Sequence, residues 1–232
     1  MDSDDFFINE SLNFKLEEFK KNPYLKIIYW NWIFFENKIF SISSIHENIS
    51  KVFNFYNYNP EKILNHIYCK VPLLSLSSSL IKKDFINEIW CFDETILSND
   101  WILNIKIFQN LKLWEEFRVD KTPAFAYRIY ENNISKNYDK ILLLLSQVIE
   151  KYCPKDLQNI GYSNIYFTNA LSNLTIWNYK KAFDSIKKSI KYKFEVKKII
   201  LFIIWIIWSS IIKFIPKNIL NKIKSIILKY FQ

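Results

Sequence analysis

An α/β fold passing into an all-helical C-terminal region is what the sequence predicts, on three observations. Residues 25–35 read as a strand of unusual aromatic density, and the turn residues Glu36-Asn37 return the chain through residues 39–45, the pattern of a hairpin. Beyond residue 138 the apolar spacing settles into the helical period and keeps it. Residues 199–212 are almost wholly Ile, Leu, Phe and Trp. These changes of pattern divide the chain into residues 1–137, a helical region at 138–196, and a hydrophobic and basic tail at 197–232.

Taken in order, residues 9–21 form a helix with Leu12, Leu16 and Phe19 on one stripe, stopped by Asn22-Pro23. Asn59-Pro60 starts another: Asn caps, and Pro occupies the first helical position, where its missing N–H costs nothing. His66 lies within that helix. Residues 72–80 carry Ser75, Ser77, Ser78 and Ser79, small enough to let backbone approach a ligand, and Lys82-Lys83 follow. A short helix or turn at 84–90 leads to Cys91, Phe92, Asp93 and Glu94. Ser98 or Asn99 then caps a helix whose inward side bears Trp101, Ile105 and Phe108, which places Asp100 in the first turn, pointing out. Strand character returns at 111–119 and at 122–129, the latter carrying Tyr127 and Arg128. Residues 139–152 are a helix ended by Cys153-Pro154, and residues 157–177 and 178–194 make two more.

The tail is too short at residues 199–212 for the ~30 Å hydrocarbon core, which takes about 20 residues. After Pro216, Ile219, Ile223, Ile226, Ile227 and Tyr230 alternate with Lys217, Lys222, Lys224 and Lys229 in a basic amphipathic pattern. Such a segment predicts an anchor lying in the plane of a membrane surface or re-entering it; a single span, reached if the apolar run extends across Lys213 to Pro216, and a buried core helix are the alternatives.

The formal net charge of +9 is unevenly spread. From Lys180 onward there are 13 Lys against 2 acidic residues, a net +11, so the rest of the chain carries −2. The lysines flank aliphatic residues and form no aromatic-interleaved groove, which argues against nucleic acid as a partner. Cys69, Cys91 and Cys153 lack CxxC spacing and suit a reducing compartment. Asp2, Asp4 and Asp5 stand where a secretory signal has its basic region, so the expected location is the cytoplasmic face of a membrane. Three carboxylates in four positions repel one another unless a cation or hydrogen-bond donors neutralise them. Oxygen-only ligands suit Mg²⁺ or Mn²⁺.

Asp2-Ser3-Asp4-Asp5, the Ser-rich run with Lys82-Lys83, Cys91-Phe92-Asp93-Glu94, Asn99-Asp100-Trp101 and Tyr127-Arg128, in that order, resemble the second half of a family 2 glycosyltransferase of the GT-A type, over residues 1–137. The resemblance implies a partial GT-A (nucleotide-diphospho-sugar transferase-like) domain, begun at its Asp-x-Asp element. It implies that Asp2 and Asp4, with Asp5 as the alternative, hold the cation on a nucleotide-sugar donor. Asp100 would be the base that deprotonates a glycan or lipid-linked acceptor in an inverting transfer, and Arg128 a phosphate ligand. Beside these roles stand two others: Asp100 complements a helix N-terminus, and Arg128 pairs with Asp93 or Glu94. The chain departs from the family pattern at Trp90-Cys91, where glycine is usual, at Asn99 and at Tyr130. The nucleotide-binding half that precedes the Asp-x-Asp element in the family has no counterpart, so a truncated enzyme is expected. The alternative is a catalytically inactive membrane-associated remnant or interaction protein.

Overall fold

The structure, a computed structural model, describes residues 6–8, 11–36, 39–42, 52–70, 76–89, 93, 95–96, 99–128 and 137–212. Its sheet is built on β2 (Ile27–Glu36), with β5 (Phe117–Arg128) along one edge in parallel. The other edge is shared: β4 (Ser79–Ile81) pairs antiparallel with Ile27–Tyr29, and β3 (Ile39–Ile42) with Ile33–Glu36. The two-residue strand β1 (Phe6–Phe7) closes the far side, antiparallel to β5. The hairpin expected around Glu36-Asn37 is therefore present as β2 and β3. Between Trp30 and Trp32 the β2–β5 register shifts, and Pro123 sits at the irregularity. A residue without an N–H is tolerated there because the ladder is already interrupted.

Period-two alternation decides which side chains enter which core. Ile27 and Tyr29 join the larger cluster with Phe53, Ile63, Phe108 and Phe117, while Ile28 and Trp30 pack with Leu25 and Ala124 beneath Leu12 and Phe19 of α1 (Ser11–Lys21). Both faces of β2 are thus buried over Ile27 to Trp30. Helix α1 is also tied to β5 by charge: Lys15 pairs with Asp120, Glu18 with Arg118, and beside them Lys26 Nζ lies 2.7 Å from Glu116 Oε1.

The larger core is roofed by helices. In α2 (Pro60–Cys69), Asn59 accepts from the Lys62 N–H at 2.9 Å and Pro60 opens the first turn, as the sequence predicts. The carbonyls of the last turn run out of helical donors. Two side chains from elsewhere supply them: Trp101 Nε1 donates to Ile67 O at 2.9 Å, and Asn164 Nδ2 to Cys69 O at 2.8 Å. After the short α3 (Lys83–Glu88), helix α4 (Asn99–Asn110) buries Trp101, Ile102, Ile105 and Phe108.

Helices α5 (Tyr138–Tyr152), α6 (Lys155–Thr175), α7 (Tyr179–Tyr192) and α8 (Val196–Ile212) complete the described chain. Val148 and Ile149 of α5 and Ile165 of α6 enter the larger core. A third core, of Ala170, Leu174, Ala182, Ile186 and Phe202, joins α6, α7 and α8. Gly161, the single glycine of the chain, lets α6 approach closely: a Cβ there would stand 3.2 Å from the Ile149 side chain and 3.3 Å from the Tyr68 carbonyl. Ile149 meets it with a side chain and Tyr68 with backbone, the less yielding of the two. Gly161→Ala therefore sets a helix-propensity gain of up to about 1 kcal/mol against a tight contact, and Gly161→Leu is expected to lose about 1–3 kcal/mol to overpacking. Urea unfolding of both variants checks this order.

This architecture overturns the expected partial GT-A domain. Helices dominate the described residues, and the sheet is small and open, mostly antiparallel, with β2–β5 as its parallel pair. The larger nucleotide-binding sheet of a family 2 glycosyltransferase is not formed among them. The hairpin that the sequence predicts is real, but it forms one edge of this small sheet and carries no nucleotide-binding unit with it.

Candidate functional site

The sequence-predicted site residues are not gathered into one described constellation. Asp100 is where the sequence places it, exposed in the first turn of α4. Its carbonyl accepts from Asn104 Nδ2 at 2.7 Å, and Asn104 Oδ1 accepts from the buried Tyr29 hydroxyl at 2.6 Å. Burial, and after it the Asp100 charge, hold the Tyr29 phenol well above its usual pKa. Asp100 thus heads a buried polar chain that fixes α4 on β2. Arg128 is the last residue of β5, opposite Phe35, and its side chain lies outside the described set. Asp2, Asp4 and Asp5, the expected Mg²⁺ or Mn²⁺ ligands, also lie outside the described residues. Among the described residues no group of three or more His, Cys, Asp or Glu is placed to hold a metal ion.

Asp93, offered above as a partner for Arg128, takes its described partners from α5 and its own loop. Lys151 Nζ donates to Oδ2 at 2.6 Å, the Tyr152 hydroxyl donates to the same oxygen, and Thr95 donates to Oδ1 through its hydroxyl at 2.6 Å and its N–H at 3.0 Å. The Lys151 ammonium first, then the Thr95 and Tyr152 hydroxyls, hold this carboxyl far below the usual carboxylate range. It is a clamp between the loop and α5.

Two arrangements that the sequence did not signal have the residue types of chemistry. A shallow cleft of about 480 Å³ between α2 and α6 is lined by Lys62, His66, Cys69, Lys70, Asn164 and Glu195. Burial, with the Lys70 ammonium adding to it, pushes the His66 imidazole down to about 4, so it is neutral at pH 7 and a weak base. Its Nδ1 lies 3.3 Å from the Tyr56 hydroxyl. Burial raises the Cys69 thiol, which keeps it protonated and poorly nucleophilic. The second arrangement is deeper: Lys198 Nζ donates to Ser163 Oγ at 2.7 Å, Ser163 Oγ and Ser189 Oγ are 3.2 Å apart, and Ser189 Oγ donates to Ser163 O at 2.7 Å. Serine beside lysine is a nucleophile–base pairing, but Ser163 and Ser189 are 0% exposed, so no substrate reaches them. The cluster locks α8 to α6 and α7 instead.

The feature these helices present to solvent is apolar. Lys198, Phe202 and Ser209 of α8 are buried against the α6–α7 pair, leaving Val196 58%, Ile200 53%, Ile203 50%, Ile204 43% and Ile207 54% exposed along the opposite side. That side forms a continuous stripe at helical spacing. At the α6–α7 turn Ile176 and Trp177 are also exposed, and Trp177 adopts φ +58°. The turn is a glycine-type helix end, with Asn178 N–H donating to Asn173 O at 2.9 Å. A bulky residue in that left-handed conformation is an outlier.

Helix α8 also corrects the expected membrane partner. It has 17 residues, about 25 Å at ~1.5 Å per residue, and among the described residues no helix is long and apolar enough to cross a membrane. With Lys198 turned inward onto Ser163, α8 is one helix of a bundle; the tail beyond Ile212 lies outside the described residues.

Compared with profiles of known protein families the chain matches none, and no curated protein matches it significantly. The resemblance to a family 2 glycosyltransferase is thus supported by neither fold nor comparison. The enzyme, its nucleotide-sugar donor and its glycan or lipid-linked acceptor fall with it, because the described residues form neither the donor-binding sheet nor a metal-holding cluster.

Proposed function

We propose that this chain is a non-catalytic docking module that binds a protein partner through the outer face of α8. The observation that carries this reading is the stripe of Val196, Ile200, Ile203, Ile204 and Ile207, each more than two-fifths exposed on a helix whose other side is locked into a bundle. An uncharged aliphatic face on a fixed scaffold is a binding surface, since burying it releases water without desolvating charge. The strained, exposed Trp177 at one end of the same bundle favours the reading: a glycine would relieve the backbone, and the indole supplies the kind of anchor that dominates interface energetics.

A polarity-sensitive dye such as anilinonaphthalene sulfonate tests the accessibility on which this reading depends. The dilute full chain is expected to enhance its fluorescence, and Ile203→Asp/Ile207→Asp to abolish most of that enhancement while far-ultraviolet circular dichroism stays unchanged. Equal enhancement by both proteins, or none by either, overturns the reading.

A further inference from the structure

We propose that the cleft between α2 and α6 is a binding site for a small phosphomonoester, its phosphate held between Lys62 and Lys70 and its organic group against Tyr56, Leu157 and Ile160. This inference does not rest on the α8 face. At about 480 Å³ the cleft falls in the range of small-molecule sites. Its polar wall is one side of α2. Lys62, Asn65, His66, Cys69 and Lys70 follow at alternating intervals of three and one, the spacing that keeps side chains on one face of a helix. The two lysines bracket His66 along that face, and Tyr56, Leu157 and Ile160 supply apolar lining.

Charge decides the sign of the ligand. Glu195 lines the cleft, but Lys193 Nζ at 3.4 Å and Lys198 Nζ at 3.6 Å share its carboxylate. These two cations answer Glu195 and the neighbouring Asp156, whose charge reaches the Cys69 thiol. Lys62 and Lys70 are then in surplus, since neither makes an ion pair among the described residues. The Lys70 charge reaches both His66 and Lys198, and the walls of a cleft focus such a field. Two surplus positive charges match a phosphomonoester, about −1.5 to −2 at pH 7, better than a singly charged carboxylate. His66 adds a directed donor. With the Tyr56 hydroxyl donating to Nδ1, 3.3 Å away, the neutral imidazole carries its own hydrogen on Nε2, which has no hydrogen-bond partner among the described residues. A bound dianion would also offset the Lys70 field and so favour the charged imidazole.

The experiment follows the His66 imidazole by nuclear magnetic resonance in the histidine-labelled full chain. The chain has two histidines, and His46→Gln identifies the His66 signal. Phenyl phosphate is the probe, compared with inorganic phosphate, benzoate and sodium chloride at matched ionic strength. Phenyl phosphate is expected to move the His66 signal saturably and to raise its pKa from about 4 toward the ordinary histidine value. Inorganic phosphate and benzoate are each expected to bind on the order of tenfold more weakly, the first for want of apolar burial and the second for want of the second charge. Lys62→Gln and Lys70→Gln change exposed side chains that pair with no described carboxylate, so circular dichroism is expected to stay unchanged. Each is expected to weaken phenyl phosphate by about tenfold, the loss of one charge-assisted hydrogen bond. A His66 signal that phenyl phosphate leaves in place, one that moves equally in both lysine variants, or one that chloride moves as far, overturns the proposal. Inorganic phosphate binding as tightly as phenyl phosphate shows an adventitious ion only, and overturns it too.

Discussion

Replacing Lys15 by methionine is expected to destabilise the chain by about 3–5 kcal/mol at neutral pH, the cost of breaking a buried ion pair. Lys15 is 1% exposed and Asp120 is the fourth residue of β5, so the substitution leaves a carboxylate without its counter-charge between α1 and the sheet. Burial alone would raise the Asp120 pKa; the hydrogen bonds from Lys15 and Thr122 and the Lys15 charge outweigh it and bring it below the usual value. A carboxyl depressed in the folded state contributes its stability above the unfolded pKa of about 4 and loses it as pH falls through the folded value. The penalty of Lys15→Met is accordingly largest near neutrality and shrinks in acid, where Asp120 takes up a proton. Lys15→Met/Asp120→Leu, which removes both charges, is expected to be more stable than the single variant. Urea titrations of the three proteins at pH 7 and in acid measure this, and a single variant as stable as the parent at pH 7 contradicts it.

Trp101→Ala is expected to cost about 3–5 kcal/mol, the range for a large aromatic removed from a packed core. Its indole is 2% exposed within the larger core, and its N–H supplies the Ile67 carbonyl at the frayed end of α2. Two separable losses follow. Trp101→Phe keeps most of the volume and forfeits the hydrogen bond, at about 1–3 kcal/mol for a buried acceptor left unmet. The difference between the two variants in thermal or chemical unfolding gives the packing share. If Trp101→Phe matches the parent, the α2 end is satisfied by other means.

Local signals were read correctly where the physics is local. Asn59-Pro60 caps and opens α2, Cys153-Pro154 ends α5, and the strands on either side of residues 37–38 pair as a hairpin. Asp100 fell in the first turn of α4 with Trp101 inward, yet that placement carried no information about chemistry. What sequence reading missed is non-local. The parallel union of β2 with β5 joins residues about ninety apart, and nothing in either strand announces it. In α6 and α7, Gly161, Ser163, Asn169 and Ser185 look like surface positions by composition; they are buried because small polar groups can bond across a close helix pair, as Ser185 Oγ does with Asn169 Oδ1 at 2.8 Å. The run that forms α8 predicts a membrane anchor because an all-round apolar segment has the same composition there as in a bundle. The signal was Lys198, spaced four residues from Phe202 on the side that turns inward.

The placement of β1 also bears on the order in which the chain is made. Phe6 and Phe7 have β5 as their sheet partner, through Ala126 and Phe125, so among the described strands β1 waits for one synthesised more than a hundred residues later. At ~5–20 residues per second the interval is on the order of 10 s. Through it β1 stays unmatched, and the parallel seam between β2 and β5 closes only after α2, α3 and α4 have been synthesised. Hydrogen exchange on stalled nascent chains would therefore find α2 protected well before either phenylalanine. A synonymous-codon pause ahead of β5 would lengthen the time for which the backbone of β1 goes unpaired.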